Sequence, residues 1–370
     1  MWVFRYMVRG KVRDMGLGRY PEVSLVKARE AASAAREHIR AGRDPIQVRQ
    51  RQDADNHPER TFKLAAEAYI KRHRASWRNP VHAAQWSSTL ETYVYPTLGN
   101  LHVREVDAAA VLGVLQPIWI EKTETASRLR GRIEAVLDAA KSLGWREGEN
   151  PARWKGGLAS LLPRPSKVVT VKHHPSLPWA RVPSFLMDLD SRAGNGARAL
   201  ELAILTAARS NEVRGMTWGE LALDGDKPVW TVPAARMKGN RLHRVPLSSA
   251  AVALLRAQLI GDETLDALVF PSSNRSETMS NMTLTAVIRR MNGDKPVWVD
   301  EATDEPAVPH GFRSTFRVWA AEVGRYPREL IEAALAHTLR DKTEGAYQRS
   351  DLLERRRALM EDWGRFCTTT

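Results

Sequence analysis

Two proline-bearing stretches, one polar and one rich in proline, glycine and lysine, constrain the fold of this chain before anything else. Residues 45–60 read PIQVRQRQDADNHPER, and residues 155–178 read KGGLASLLPRPSKVVTVKHHPSLP. Neither shows the apolar periodicity of a packed element, so both are expected as linkers, and no single core runs through them. The 370 residues then divide into 1–44, 61–154 and 179–370. A chain of this length holds two or three domains, each with a core of its own.

The middle part is helical throughout. TFKLAAEAYIKRHRASW, AQWSSTLETYVYPTLG, DAAAVLGVLQPIWI and ETASRLRGRIEAVLDAAKSLGW repeat their apolar residues at helical spacing, which predicts a small bundle. Its faces carry Lys71, Arg72, Arg74, Arg128, Arg130 and Arg132, which by themselves read as a solvated surface. The first part opens with two strand-like runs around Gly10-Lys11, a hairpin signal. A helix follows, with Ser24 as N-cap, Leu25, Ala28, Ala32, Ala35 and Ile39 on one face, and Gly42 just past its end. This β-β-α unit is short for an independent core, so an earlier portion is expected to be missing.

The last part is mixed. Helices are predicted near 181–190, 196–208, 249–260 and 283–291, and a short strand at 268–270. A strand–turn–strand is predicted over 228–247, with Gly239-Asn240 as the turn. The fold class is therefore a multidomain, mainly α chain: a partial N-terminal β-β-α unit, a helical bundle, and a mixed α/β final domain.

Lysine and arginine number 56 against 43 acidic residues, a net charge of +13, which favours a polyanionic partner such as nucleic acid. The lone cysteine, Cys367, rules out an intrachain disulfide and fits a reducing, cytoplasmic setting. No run reaches the length of a membrane span, and the opening residues lack the order of a signal peptide.

The chemistry concentrates between His310 and Tyr347. In PHGFRSTFRVWAAEV, a helix would put His310 and Arg313 on one face. A second helix is predicted from about Pro327 to near His337, and Tyr347 follows ten residues later. Arginine forks match phosphate oxygens, and tyrosine can be a covalent nucleophile, so this set suits a phosphodiester. Upstream, LTAARSNEVR places Arg209 at the end of an apolar helix, with Ser210 able to cap the next and Glu212 placed to buttress the arginine. Lys238 sits at the tip of the 228–247 hairpin. Each has a plain alternative: a surface arginine, a turn lysine. His173-His174 reads as loop, since no spaced ligands accompany it.

The order Arg209, Lys238, His310-x-x-Arg313, His337, Tyr347 is far more specific than any member. Together with LTAARSNEVRGMTW, WTVPAARMKGNRLHRVPLS, HGFRSTFRVWAAE, ALAH and AYQRSDLLERRRALMEDW, it resembles the tyrosine recombinases. In particular it resembles the P4-type integrases of phages and genomic islands, over nearly the whole chain. MGLGRYPEVSLVKAREAA resembles the end of their arm-binding domain, with its opening strands lacking. Residues 61–154 resemble their core-binding domain and 179–370 their catalytic domain.

The resemblance implies a site-specific recombinase acting through a 3′-phosphotyrosine, integrating or excising mobile DNA. Arg209, Arg313 and His337 would contact the scissile phosphate, Lys238 and His310 would move protons, and Tyr347 would attack. It implies double-stranded attachment sites as partner, a homotetramer on DNA, an excision factor and a DNA-bending host protein, and no membrane. No cofactor is expected: the chain has no carboxylate cluster for a metal and no Walker-type loop for ATP. In the family a helix after the tyrosine docks on a neighbouring subunit, and Leu352, Leu353, Leu359, Met360 and Trp363 are available for that; the alternative is a helix folded back on its own domain. Two other readings stay open, a type IB topoisomerase and a decayed integrase that only binds DNA.

Overall fold

The computed structural model describes all residues except 9, 50–59, 78–79, 170–172, 238, 260, 262–263, 274–276, 338–349 and 370. It divides into two compact units, Met1–Val171 and Lys172–Thr370.

The first unit begins with an antiparallel hairpin, β1 (Trp2–Val8) and β2 (Lys11–Gly18). Val8 pairs with Lys11, so Lys11 already belongs to the second strand rather than to the turn. Gly10 supplies the positive φ, +74°, that the turn requires. Helix α1 (Leu25–Arg40) starts at Ser24, whose Oγ accepts from Lys27 N at 3.3 Å. It ends as a Schellman motif: Gly42 N bonds to Ile39 O and Arg43 N to His38 O, both at 2.9 Å.

Residues 45–49, expected as linker, are helical. Asp44 caps them, its carboxylate accepting from Ile46 N at 3.1 Å and Arg13 Nη1 at 2.7 Å and also from Tyr6 Oη. Pro45 is thus a first-turn proline rather than a breaker, and Ile46 packs on the small core of Phe4, Tyr6 and Ala35.

The bundle consists of α2 (Phe62–His73), α3 (Pro80–Thr89), α4 (Ala108–Trp119) and α5 (Thr123–Ser142). Helix α3 runs on through a widened turn at Leu90–Val94 into Tyr95–Leu98, with Tyr95 N bonded five residues back to Leu90 O. The widening sits just before Pro96, whose missing N–H disrupts regular pairing. Arg132, read as a surface cation, is buried; it donates to Gln85 O at 2.7 Å and lies over the Trp86 ring. Arg130 likewise turns inward to Glu134 and Ala152 O.

The second expected linker is also shorter than its composition suggests. Leu158 and Leu162 are buried in the bundle core, Trp154 stacks on Trp119 at 5.7 Å, and Trp119 Nε1 donates to Pro163 O at 2.9 Å. Glycine and proline there shape turns that carry leucines inward. At the far end, Leu177 is buried in the second unit.

That unit is built on α7 (Asn195–Thr206), with α6 (Val182–Asp190) before it. Leu200, Leu202, Ala203, Ile204 and Leu205 are all buried, so the second half of α7 forms the centre of the core, while Arg198 and Glu201 pair on its partly exposed side. A short α8 (Ser210–Arg214) leads to the antiparallel sheet β3 (Leu221–Ala222), β4 (Val229–Val232) and β5 (His243–Pro246). The hairpin strands are four residues each, paired from Val229↔Pro246 to Val232↔His243. The connection is longer than a two-residue Gly239-Asn240 turn: it runs from Pro233 to Leu242, holds a 3-10 turn at Ala234–Arg236, and has Asn240 at φ +51°; Lys238 lies outside the described residues. The strand expected at 268–270 is a single bridge, Thr217↔Leu268, with Val269 N on Met216 O. Its apolar run reflects burial of Val269 and Phe270 rather than sheet pairing.

Helices α9 (Ser249–Gln258), α10 (Thr283–Asn292), α11 (Gly311–Glu322), α12 (Arg328–Ala334) and α13 (Leu353–Thr368) complete the unit. Pro327 is the N-cap of α12, one position before the expected helical proline. Helix α13 folds back on its own domain. Leu359, Met360 and Trp363 are buried, and Trp363 Nε1 donates to Ile204 O at 2.8 Å. Among the described residues no helix is long and apolar enough to cross a membrane.

Candidate active site

Two sharp backbone turns frame the site. Helix α7 ends at Ala207 with φ +50°, and α12 ends in a Schellman motif with Ala336 at φ +49°. In that motif Ala336 N bonds to Ala333 O at 3.1 Å and His337 N to Glu332 O at 3.0 Å. Alanine in place of the usual glycine carries some strain at both turns, and two arginines hold them. Arg313, in the first turn of α11, donates from Nη1 to Ala207 O and from Nη2 to Leu335 O at 2.6 Å. Arg209 Nη2 reaches Ala336 O at 3.4 Å.

Arg209 is itself the N-cap of α8, the place expected for Ser210. Buried Glu212 makes this possible. Its carboxylate accepts Arg209 N at 3.0 Å and Arg209 Nη1 at 2.9 Å, which is the buttressing the sequence suggested. Burial pulls the Arg313 guanidinium down to about 10, with Arg209 adding to the effect and Glu212 and Glu332 opposing it. It stays charged at neutral pH.

His310 is the residue just before α11, with helical backbone angles of φ −70° and ψ −30° and no side-chain capping bond, so it stands to Arg313 at the helical spacing expected. Partial burial, then the positive field of Arg313, His174, Arg209 and His337, lowers its imidazole to about 4. It is neutral at physiological pH and free to accept a proton. His337 places Nε2 3.2 Å from Arg313 Nη2 and Nδ1 2.7 Å from Glu332 Oε2. Arg209, His310, Arg313 and His337 therefore converge; Lys238 and Tyr347 lie outside the described residues.

Three neighbours escaped the sequence reading. The strap 174–177 crosses the start of α11: Val308 N donates to Pro175 O at 3.2 Å and Thr315 Oγ1 to Leu177 O at 2.6 Å. Gly311 permits it, since a Cβ there would stand 2.0 Å from Pro175 O. The strap sets the His174 ring edge-to-face on His310, centroids 4.7 Å apart, so His174 is more than a loop residue. His243, on β5, is lowered to about 4 by burial and by Arg356, Glu212 and a bond to the Ala334 backbone opposing. Glu332 is the third. Its only signal in the sequence is its position five residues before His337, which acquires meaning once the helix is known to end between them.

The stretch holding Tyr347 is bracketed by anchored residues. His337 is fixed by Glu332, and Asp351 by Arg244 at 2.8 and 2.9 Å. Buried Arg356 donates Nε to Asp351 O at 2.9 Å. Among the described residues no group of three or more histidine, cysteine, aspartate or glutamate side chains could hold a metal ion.

Three stretches match known families: residues 1–52 an arm DNA-binding domain, 62–157 a phage integrase central domain, and 186–353 the phage integrase family. The prophage integrase IntZ of Escherichia coli (strain K12) is 31% identical over 366 residues, covering 98% of this chain and 85% of that protein. The integrase of Enterobacteria phage P4 is 29% identical over 368 residues, covering 94% and 79%. Among solved structures, a λ integrase dimer bound to a COC′ core site superposes with a TM-score of 0.59 at 18% identity, covering 95% of this chain and 93% of that one; that likeness is one of fold. With the IntZ identity spanning almost the whole sequence, the chain belongs to the phage integrase family.

Proposed function

We propose that this protein cleaves and rejoins duplex DNA at specific attachment sites, with Tyr347 as nucleophile and a covalent 3′-phosphotyrosine as intermediate. The observation that carries this reading is the convergence of Arg209, His310, Arg313 and His337 on the turns at Ala207 and Ala336. In the forward step Tyr347 Oη attacks phosphorus and its proton passes to His310. The bond from phosphorus to the 5′ oxygen breaks, and Lys238 gives that oxygen a proton. Attack by a 5′-hydroxyl on the phosphotyrosine reverses every transfer and rejoins the strand.

The chemistry explains why such a set is needed. A phenol with pKa ~10 is ionised to about one part in a thousand at pH 7, so attack requires a base. His310 is suited to that role because it is neutral. Negative charge gathers on the phosphoryl oxygens in the transition state; Arg209 and Arg313 are donors fixed in advance, and His337 becomes one once protonated. These cations supply the charge stabilisation, so neither metal nor ATP enters the proposed step.

The partner is double-stranded DNA, and strand exchange takes four subunits. A λ integrase tetramer bound to a Holliday junction shares this fold, with a TM-score of 0.55 over 95% of this chain, and supports that stoichiometry. An excision factor and a DNA-bending host protein would set direction. The arm DNA-binding match at residues 1–52 favours recombination over simple relaxation.

The test is cleavage of nicked duplexes carrying the element's end sequences, in EDTA and without ATP. Wild type should form a covalent adduct, and Tyr347→Phe should bind but form none. An adduct with Tyr347→Phe would remove Tyr347 from its role.

A further inference from the structure

His337 uses both of its ring nitrogens. Nε2 stands 3.2 Å from Arg313 Nη2, and a guanidinium nitrogen can only donate. Nε2 is therefore an acceptor in this DNA-free state, and the ring proton is on Nδ1. There it is donated to Glu332 Oε2 over 2.7 Å.

Glu332 is built to receive it. Its residue is only 8% exposed, and its second oxygen takes Arg317 Nε at 2.8 Å. Burial raises its carboxyl, but the hydrogen bonds from His337 and Arg317 outweigh burial and leave it below its ordinary value. It is a carboxylate at neutral pH. The Schellman end of α12 makes the pairing: Glu332 is the residue whose carbonyl receives His337 N, so the two side chains lie over each other. That motif commonly joins two apolar residues at these positions; here it joins an acid and an imidazole.

A scissile phosphate changes what Nε2 must do. Phosphate oxygens only accept, so a histidine that contacts one must donate. Arg313 meets the phosphate too, and its contact with Nε2 is then lost. The ring must take a proton at Nε2 while Nδ1–H stays on Glu332. The charged groups facing this ring are Arg313 from α11, Arg209 from the N-cap of α8, His310, and Glu332 with Arg317 behind it.

We propose that Glu332 is the positioning residue of the strand-cleavage step: it holds His337 with Nε2 toward the scissile phosphate and, by its negative charge, stabilises the imidazolium that forms when DNA binds. No bond to Glu332 is made or broken; one proton is taken from solvent onto Nε2 and returned on release. The inference rests on the proposed reaction, and no family match assigns this residue.

Two readouts test it. The first needs no activity: full-length protein with 15N-labelled histidine, His337 assigned by loss of its signals in His337→Gln. In wild type without DNA the ring should be the Nδ1–H tautomer, and an Nε2–H tautomer would overturn the proposal. The second is adduct formation by Glu332→Gln, which keeps an acceptor but removes the charge, beside Arg317→Ala. Glu332→Gln should still bind duplex, though more weakly than wild type near pH 8, because the imidazolium that forms on binding has lost its counter-charge. It should cleave about 10- to 100-fold more slowly near pH 8, the size of one charge-assisted hydrogen bond lost from the transition state, with the gap narrowing toward pH 6. Arg317→Ala should cleave within about threefold of wild type. A Glu332→Gln deficit that is absent, or equal at every pH, or matched by Arg317→Ala, would reduce Glu332 to a structural acid. Failure of wild type itself to form an adduct would instead sink the proposed reaction and leave the tautomer result standing.

Discussion

The guanidinium of Arg313 donates to the carbonyl of Ala207, tying the first turn of α11 to the end of α7 across 106 residues of chain. A second bond to Leu335 O ties the same side chain to the end of α12. One buried arginine thus holds three helix ends together and stands beside His337 as well. Structure and chemistry are not separable at this residue.

Arg313→Lys should therefore fail twice. A lysine keeps the charge but has no planar fork, so two buried carbonyls cannot both be satisfied. Adduct formation should fall by about 10²-fold or more. Unfolding in denaturant should show a loss of about 1–3 kcal/mol, the usual range for an orphaned buried acceptor. Loss of activity with stability unchanged would show that the three-way tie is dispensable.

The acid side of the pH profile follows from His310. Its imidazole is held down to about 4, so it remains an acceptor well below the ordinary histidine range. If it is the base, the acid limb of cleavage lies near pH 4–5 and not near 6.5. Stability has a matching sign. His243 and His310 are both lowered to about 4, so between pH 6.5 and 4 the unfolded chain binds more protons than the folded one. Stability is intact above that window and falls as pH drops through it. His243→Gln should flatten this slope, measured as denaturation midpoint against pH, because a glutamine takes no proton in either state.

His174 is expected to act through His310. Removing it with His174→Ala takes away an edge-to-face partner and one source of positive field. The acid limb of cleavage should move upward toward the ordinary histidine value, with DNA affinity kept. Gly311→Ala should give a similar shift, because a Cβ 2.0 Å from Pro175 O must push the strap away. His173→Ala is the control, and a profile equal to that of His174→Ala would count against a specific pairing.

What the sequence revealed and what it hid divide along physical lines. The bundle was legible because its apolar residues repeat at 3.6-residue spacing over long segments, and α7 because it ends in an apolar run. Arg209, His310, Arg313 and His337 stood out only as an ordered set that resembles a family pattern; alone, Arg209 reads as readily as a surface arginine. The linkers were overdrawn, since composition cannot tell a polar stretch from turns that bury Leu158, Leu162 or Ile46. Glu332 and His174 were hidden for another reason. Their meaning depends on where α12 stops and on which segment crosses α11, and neither follows from local pattern.

The basic surface of the bundle gives the last contrast. Lys71 and Arg72 are exposed at the end of α2, whereas Arg132 is buried against Gln85 O and the face of Trp86. If the bundle contacts DNA through phosphates, each exposed cation lost should reduce the slope of log affinity against log salt by about one. Lys71→Ala with Arg72→Ala should then lower that slope by about two and leave thermal unfolding unchanged. Arg132→Ala should do the reverse. Its loss removes the hydrogen bonds to Gln85 O and Thr89 Oγ1 and the packing on the Trp86 face, destabilising the bundle by about 1–3 kcal/mol while the salt slope stays at the wild-type value. A salt slope that falls with Arg132→Ala alone would mean that the buried arginine turns outward to the backbone when DNA binds.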